Sequence, residues 1–170
     1  MMQQSYLFEA DGLGFRPIAE TDLNYLVLLD ADPETMSFFP GGARTKEEIK
    51  NNIKRYMTDY AQKGYSTFIV FDTSTNEFIG RAGFGDIENQ IEVGYLILKK
   101  YWGTGYASRI LKILLEWAKH HIKKDKIIAF TPLDHVASER VMQKAGMVFS
   151  RKGTMKGVEC VVYEYPLQEK

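Results

Sequence analysis

Hydrophobic residues recur at two different periods along the 170-residue chain, and the change of period separates helical from strand-like segments. A helical period begins where Thr45 and Glu48 have the spacing of a capping box, and it continues to Gly64. Alternation typical of strands follows, broken by short turn-rich links, in the segments 66–72, 77–85 and 91–98. The pattern therefore predicts an antiparallel meander after this helix.

The second half of the chain predicts a parallel step in the same sheet. Apolar residues at helical spacing mark a helix over 103–122, and the apolar run 127–131 leaves no room for a hairpin return. A strand, a helix and a strand in this order form a right-handed parallel crossover. A hairpin at 8–17 and strands at 147–152 and 158–165 complete the expected α/β mixed sheet of about seven strands, and a further helix is expected at 136–145.

Length and composition indicate an ordinary globular chain, which we expect to form a single domain over 1–170. No apolar run is long enough for a membrane span, and no signal peptide is recognisable, so we expect a cytoplasmic protein without a membrane partner. The single cysteine, Cys160, agrees with a reducing compartment. We expect no metal site, because His120 and His121 have no third ligand at suitable spacing.

Charge is distributed unevenly although it balances overall, with 22 basic and 22 acidic side chains. Residues 1–98 carry 8 basic and 15 acidic side chains, whereas residues 99–126 carry 8 basic and 2 acidic ones. The acidic remainder of the surface would repel a nucleic-acid backbone, so we expect no nucleic-acid partner. A local basic segment suits a small polyanion, although a solvated, lysine-rich helix face is an equally good explanation for its distal lysines.

The basic segment contains two glycines, Gly103 and Gly105, between a predicted strand and the start of a predicted helix. Small residues let the backbone approach a ligand, and the first N–H groups of a helix attract phosphate. The P-loop is excluded because no Gly-Lys-Ser/Thr sequence follows. A dinucleotide fingerprint does not fit either, because Ser108 stands where its third glycine would be.

Three motifs, in the right order and at the right separation, resemble the GNAT superfamily of acetyl-CoA-dependent N-acetyltransferases, and most of all its RimJ/RimL-like branch. They are Glu92-Val93-Gly94-Tyr95-Leu96, then Tyr101-Trp102-Gly103-Thr104-Gly105-Tyr106-Ala107, and finally Pro132 to Met147 with His135, Ser138 and Gly146. The resemblance covers nearly the whole chain. It implies the GNAT-like fold, with a splayed strand pair at the parallel step, and acetyl-CoA and an amine acceptor as partners; a homodimer is left open.

The resemblance also implies which residues bind acetyl-CoA. The family's pyrophosphate loop maps to residues 100–105, so we expect the diphosphate at Lys100, Gly103, Thr104, Gly105, Tyr106, Ala107 and Ser108. The pantetheine arm is expected to pair with main-chain groups of Leu96, Ile97 and Leu98, where the strand before the loop splays away from its neighbour. His135 replaces the family's usual Asn beside a pantetheine amide.

Acetyl transfer to an amine requires removal of a proton from nitrogen, a donor for the developing oxyanion and a proton for the departing thiolate. Glu92 matches a family glutamate that acts as base, and orientation of the substrate is an equal alternative; Asp86 and Glu88 are the next candidates. A main-chain N–H near Leu98 is the expected oxyanion donor. Many family members have a tyrosine as the leaving-group acid where this chain has Met142. In RimL-like members a serine eight residues before the glycine that ends this helix is the implied acid, and Ser138 matches it, with helix capping as its alternative.

The missing tyrosine leaves a second hypothesis open, a non-catalytic module that binds or senses acyl-CoA. A nucleotide-binding regulatory domain is a third. Phe38 and Phe39 are expected in the core, although the segment 36–44, with Pro40-Gly41-Gly42, has the composition of a flap over an acceptor pocket.

Overall fold

The computed structural model describes residues 5–168, which form an eight-stranded mixed sheet flanked by four helices. The strands are β1 (Phe8–Ala10), β2 (Leu13–Pro17), β3 (Thr67–Asp72), β4 (Phe78–Ile87), β5 (Gln90–Ile97), β6 (Lys126–Pro132), β7 (Val148–Met155) and β8 (Val158–Pro166). The helices are α1 (Leu23–Asp30), α2 (Lys46–Lys63), α3 (Tyr106–His121) and α4 (Val136–Lys144). No helix of the described chain is long and apolar enough to cross a membrane.

The strands lie side by side in the order β1-β2-β3-β4-β5-β6-β8-β7, and every neighbouring pair is antiparallel except β5 and β6. The predicted meander and parallel step are therefore confirmed. The sheet has eight strands where about seven were expected, and the predicted hairpin supplies two of them, turned at Asp11 and Gly12. Both turn residues have a positive φ, as a tight hairpin turn requires.

Each face of the sheet is covered by a different pair of helices. The α3 and α4 face buries Ile91, Val93 and Ile97 of β5 against Ile110 and Met142, among others. The α1 and α2 face buries Leu96 of the same strand against the apolar sides of those helices. Successive side chains of a strand point to opposite faces, so odd-numbered residues of β5 face α3 and α4 and even-numbered ones face α1 and α2.

Two helix starts show how local sequence determines element boundaries. Thr45 and Glu48 form the predicted capping box at the start of α2. The sequence pattern predicted that helix α3 begins at Gly103, but it begins at Tyr106. Gly103 and Gly105 have φ angles of +73° and +88°, which are incompatible with a right-handed helix, so the glycines form a loop before it.

Candidate active site

Strand β5 pairs very differently along its two edges. Its edge toward β4 has eight residue pairs, from Gly80 with Ile97 to Ile87 with Gln90. Its edge toward β6 has one, Glu92 with Ile128. The two parallel strands therefore meet near Glu92 and diverge toward the carboxyl end of β5, which produces the predicted splay. We call this V-shaped opening the β5–β6 gap, with Glu92 at its vertex.

Main-chain polar groups of β5 line the gap at alternate residues. The main-chain groups of Leu98, which follows β5, do not face the gap. Its N–H donates to Ile79 O at 3.0 Å, and its carbonyl accepts from Tyr101 N at 2.9 Å. The prediction of an exposed amide is wrong for this residue, since β4 already binds it. By alternation Leu96 also points its main chain toward β4, whereas Ile97 and Tyr95 point theirs into the gap.

The Ile97 carbonyl provides direct evidence for this alternation. It accepts a hydrogen bond from the indole Nε1 of Trp102, at 3.1 Å, from the side opposite β4. Trp102 thereby folds back over the open end of the gap and joins the end of β5 to the loop that follows it.

The loop after β5 leads into an uncapped helix start. A 3₁₀ turn at Lys99–Tyr101 is followed by Gly103 and Gly105, and a Cβ at either glycine would meet no atom within 4 Å. The N-cap of α3 is Gly105, which has no side chain to cap the helix. The first N–H groups of α3, those of Tyr106, Ala107 and Ser108, therefore have no acceptor within the helix. This open concave backbone, aided by the helix dipole, is suited to an anion.

Side chains fasten this loop to the neighbouring strands. Tyr106 donates to Asp72 at 2.9 Å and Tyr101 donates to Glu77 at 2.7 Å, while Thr104 donates to the Tyr101 carbonyl. Burial, followed by the hydrogen bond to Glu77, raises the pKa of Tyr101 to about 12. The loop is thus held in place before any ligand arrives.

The basic residues around the loop are engaged to different degrees. Lys99 forms an ion pair with Glu34, and Arg109 pairs with Asp11 at 2.9 Å. Lys100 is exposed beside the ring of Tyr101, with its Nζ 5.0 Å from the ring centroid. Of these three cations, Lys100 has no carboxylate partner among the described contacts and is the one most available to a phosphate.

Glu92 lies at the vertex of the gap, on the face of α1 and α2. Its side chain is 23% exposed, and its nearest cation is Lys156 Nζ, 3.6 Å from Oε1. Burial raises the pKa of the Glu92 carboxyl above its usual value, and the Lys156 charge partly opposes this. Gly85 pairs with Glu92 across β4 and β5, and the exposed Gly94 follows two residues later. These glycines leave the surface beside the carboxylate uncovered.

The two alternative carboxylates are less suited to act as a base. Asp86 binds Lys63 Nζ at 2.6 Å and accepts from Tyr65 at 3.2 Å, and the Lys63 contact is the main reason its pKa is lowered. Glu88 lies exposed in the turn between β4 and β5 with a φ of +47°. Among these three carboxylates, Glu92 alone combines burial with a position at the gap.

Ser138 lies on the opposite face of the sheet from Glu92. It is buried at the start of α4, and its Oγ is 3.0 Å from the hydroxyl oxygen of Tyr95. Burial raises the pKa of Tyr95, whereas the hydrogen bond to Ser138 lowers it. Met142 is 3% exposed and packs in the core under α3. The two predicted catalytic residues, Glu92 and Ser138, therefore lie on opposite faces of the sheet.

The segment 32–44 between α1 and α2 reaches α4. Met36 is buried in the core, whereas Phe38 and Phe39 are 38% and 36% exposed, which corrects the expectation that they are core residues. Phe38 stacks on the ring of His135 at 3.7 Å between centroids. Burial lowers the pKa of His135, which favours its neutral form in this stack. His135, at the start of α4, therefore contacts the segment between α1 and α2.

Sequence reasoning missed three residues at this site: Tyr95, Trp102 and Lys156. Tyr95 could have been placed from alternation along β5, because it has the same parity as the buried Val93 and Ile97. Nothing local indicates Lys156, which reaches Glu92 only because the turn between β7 and β8 approaches β5 in the folded chain. Among residues 5–168, no three His, Cys, Asp or Glu side chains are grouped to hold a metal ion.

Comparison with known proteins defines the class to which this fold and site belong. A family model described as the acetyltransferase (GNAT) domain matches residues 13–148. The chain belongs to the GNAT acetyltransferase family. Two relatives from Bacillus subtilis (strain 168) are the uncharacterized protein YkkB, 30% identical over 81% of both chains, and the uncharacterized N-acetyltransferase YnaD, 29% identical over 74% of this chain and 72% of its own.

Solved structures share the fold over nearly the whole chain. A GNAT-family acetyltransferase from Bacillus anthracis has a TM-score of 0.81 at 24% identity, covering 95% of this chain and 98% of its own. RimL, a ribosomal alpha-N-protein acetyltransferase in complex with coenzyme A, has a TM-score of 0.77 at 18% identity, covering 95% of this chain and 98% of its own. Spermidine N-acetyltransferase from Vibrio cholerae, in complex with CoA and spermine, has a TM-score of 0.76 at 16% identity, covering 93% of this chain and 97% of its own.

Proposed function

We propose that this acetyltransferase transfers the acetyl group of acetyl-CoA to a primary amine, by direct attack of the amine while both substrates are bound. The observation that carries the proposal is a juxtaposition: the uncapped start of α3 opens onto the β5–β6 gap, and Glu92 closes the far end of that gap. An anion site, an extended channel and a carboxylate thus follow one another along β5.

The residues present fit acetyl-CoA at this position. The diphosphate would be held by the N–H groups of Tyr106, Ala107 and Ser108 and by the backbone around Gly103 and Gly105, where no side chain fills the space. The amides of the pantetheine arm resemble those of a strand, and Tyr95 and Ile97 offer main-chain partners in the gap. Bound there, acetyl-CoA would supply the acetyl group as a thioester.

Glu92 would take the proton that the amine loses. Free amines are mostly protonated at neutral pH, and a carboxyl with a raised pKa is better matched to accept a proton from them than an ordinary carboxylate. The open surface beside Gly94 and Gly85 lets the amine arrive from the α1 and α2 face. Of the gap-facing main-chain groups, the N–H of Tyr95 is nearer to Glu92 than that of Ile97, so in place of Leu98 it is the donor available to the developing oxyanion.

The amine is proposed to be a protein N-terminal amine, as in the RimJ/RimL-like branch. RimL itself acetylates a ribosomal protein, and its fold covers 95% of this chain. The spermidine N-acetyltransferase from Vibrio cholerae has the same fold, so the experiment must compare small amines with N-terminal peptides as acceptors.

Calorimetry and thiol release test the proposal together. We expect acetyl-CoA to bind the full chain and to raise its melting temperature, and ATP or NAD to do neither. Release of free CoA should then depend on an amine, and ribosomal-protein N-terminal peptides should be turned over faster than spermidine or spermine. Binding without turnover of any amine would support an acyl-CoA sensor, and protection by a nucleotide alone would refute the acetyl-CoA site.

A further inference from the structure

The hydroxyl pair formed by Tyr95 and Ser138 connects the two sides of the β5–β6 gap. Tyr95 belongs to β5, and Ser138 belongs to α4, the helix that follows β6. Their oxygens are 3.0 Å apart, on the α3 and α4 face of the sheet. Tyr95 lies three residues beyond Glu92, about 10 Å along the strand on the open side of the vertex, where the thioester end of a pantetheine arm entering from α3 would lie.

The departing thiolate needs a proton, and few groups near the vertex can provide one. Met142, at the position of the family's tyrosine, has no acidic hydrogen. Tyr163 of β8 donates to Glu139 at 2.7 Å and accepts from Gln143 at 3.0 Å, so its hydroxyl is already engaged by two side chains of α4. Lys156 approaches Glu92 on the other face of the sheet.

A phenol is a better match for this task than a serine hydroxyl. The ordinary pKa of tyrosine, about 10, lies within about two units of that of a thiol, about 8.5, whereas an alcohol is a far weaker acid. Efficient proton transfer requires comparable pKa values. A phenol is protonated at neutral pH, and burial raises the pKa of Tyr95 further. Ser138, 3.0 Å away, can donate a hydrogen bond to the tyrosinate that remains after transfer.

We propose that Tyr95 is the catalytic proton donor to the leaving sulfur and that Ser138 is its positioning residue, a role that rests on the proposed function. As the amine nitrogen bonds to the acetyl carbon, the carbon–sulfur bond breaks and leaves its electron pair on sulfur. Tyr95 transfers its proton to that sulfur, and Glu92 accepts the proton lost by nitrogen. Solvent then returns a proton to Tyr95 and removes one from Glu92, so the reaction balances.

The test uses Tyr95→Phe, which keeps the ring, and Ser138→Ala, which keeps the phenol. With acetyl-CoA we expect kcat to fall about 100-fold in Tyr95→Phe and by less in Ser138→Ala, while the Kd of acetyl-CoA measured by calorimetry changes less than about threefold. The double variant should match Tyr95→Phe, because the serine acts through the phenol. An acetyl aryl thioester, whose acidic thiol leaves without a proton, should be used by Tyr95→Phe nearly as fast as by the wild type.

Tyr163→Phe is the matched control, because it also removes a phenol that binds α4, through Glu139. It should keep kcat within about twofold. The proposal is overturned if kcat is unchanged in Tyr95→Phe, or if Tyr95→Phe loses as much kcat with the acetyl aryl thioester as with acetyl-CoA. It is also overturned if the losses of kcat in the two single variants add in the double variant. If the wild type does not use the acetyl aryl thioester, or if Tyr95→Phe binds acetyl-CoA poorly, the test rests on the double variant alone, and additive losses there overturn the proposal. A wild type without binding or turnover would instead refute the proposed function.

Discussion

The two edges of β5 belong to one strand but have different roles. Toward β4 the strand is hydrogen-bonded along its length, and Gly80 lets the two backbones approach closely. Toward β6 it is paired only at Glu92, and the groups beyond this vertex face an opening. An unpaired main chain inside a sheet is costly unless something binds it, so the open edge is expected to have a ligand.

The difference teaches that binding and stability are separated across the width of a single strand. Alternation assigns the polar groups of Leu96 and Leu98 to the closed edge and those of Tyr95 and Ile97 to the open one. Substitutions that affect the closed edge should therefore alter folding, whereas those around the open edge should alter binding and turnover with smaller effects on stability.

The largest effect is expected from Gly80→Val at the closed edge. A Cβ at Gly80 would lie 2.2 Å from the Leu96 carbonyl oxygen and 2.8 Å from Ile97 Cα, and both contacts are with backbone. We expect a loss of about 3 kcal/mol or more in the free energy of unfolding, measured by urea denaturation. In the control Gly94→Ala, the new Cβ meets no atom within 4 Å and should change stability by less than about 1 kcal/mol. Equal losses would refute the distinction.

Local sequence was sufficient for the parts of the site that depend on backbone geometry. The order of strand, glycine loop and amphipathic helix lies within some thirty residues, so the open glycine loop at Gly103 and Gly105 could be predicted, although the start of the helix could not be placed to the residue. Side-chain pairs such as Tyr95 with Ser138, or Glu92 with Lys156, join segments distant in the chain. Their partners depend on how the β7 and β8 hairpin and α4 pack, which a single sequence does not encode in any local pattern.

At the vertex, Glu92→Gln should separate activity from stability. We expect kcat/KM to fall about 100-fold near neutral pH, and by less at higher pH, where more of the amine is already neutral. The pKa of Glu92 is raised on folding, so its favourable contribution to stability is complete below the unfolded pKa and lost as pH rises through the folded pKa. A neutral glutamine avoids that loss.

The melting temperature of Glu92→Gln at pH 7 should therefore equal or exceed that of the wild type. Glu88→Gln, in the exposed turn, is the matched control and should change neither quantity. A variant that loses activity and melts much earlier would show that Glu92 acts mainly through structure, and an unaltered pH–rate profile would remove it as the base.

At the open end of the gap, Gly105→Glu should weaken binding of coenzyme A more than tenfold. Its carboxylate would enter the open space before α3 and repel the diphosphate. The φ of +88° also strains any residue with a Cβ, by about 1–2 kcal/mol. Gly105→Ala has the same strain without the charge, so the difference in Kd between the two variants, measured by calorimetry, isolates electrostatics. Similar Kd values would exclude the diphosphate from this position.

The smallest effect is expected from Lys156→Met, which tests the electrostatics of the vertex. The Lys156 ammonium lies 3.6 Å from Glu92 and lowers the pKa of that carboxyl against the effect of burial. Its removal should raise that pKa further, so the acid limb of the kcat/KM profile should move to higher pH. Because Lys156 is 57% exposed and screened by solvent, we expect this displacement to be small. Lys152→Met removes the same charge from the same hairpin and should leave the limb unmoved; identical profiles for the two variants would show that Lys156 does not act on the base.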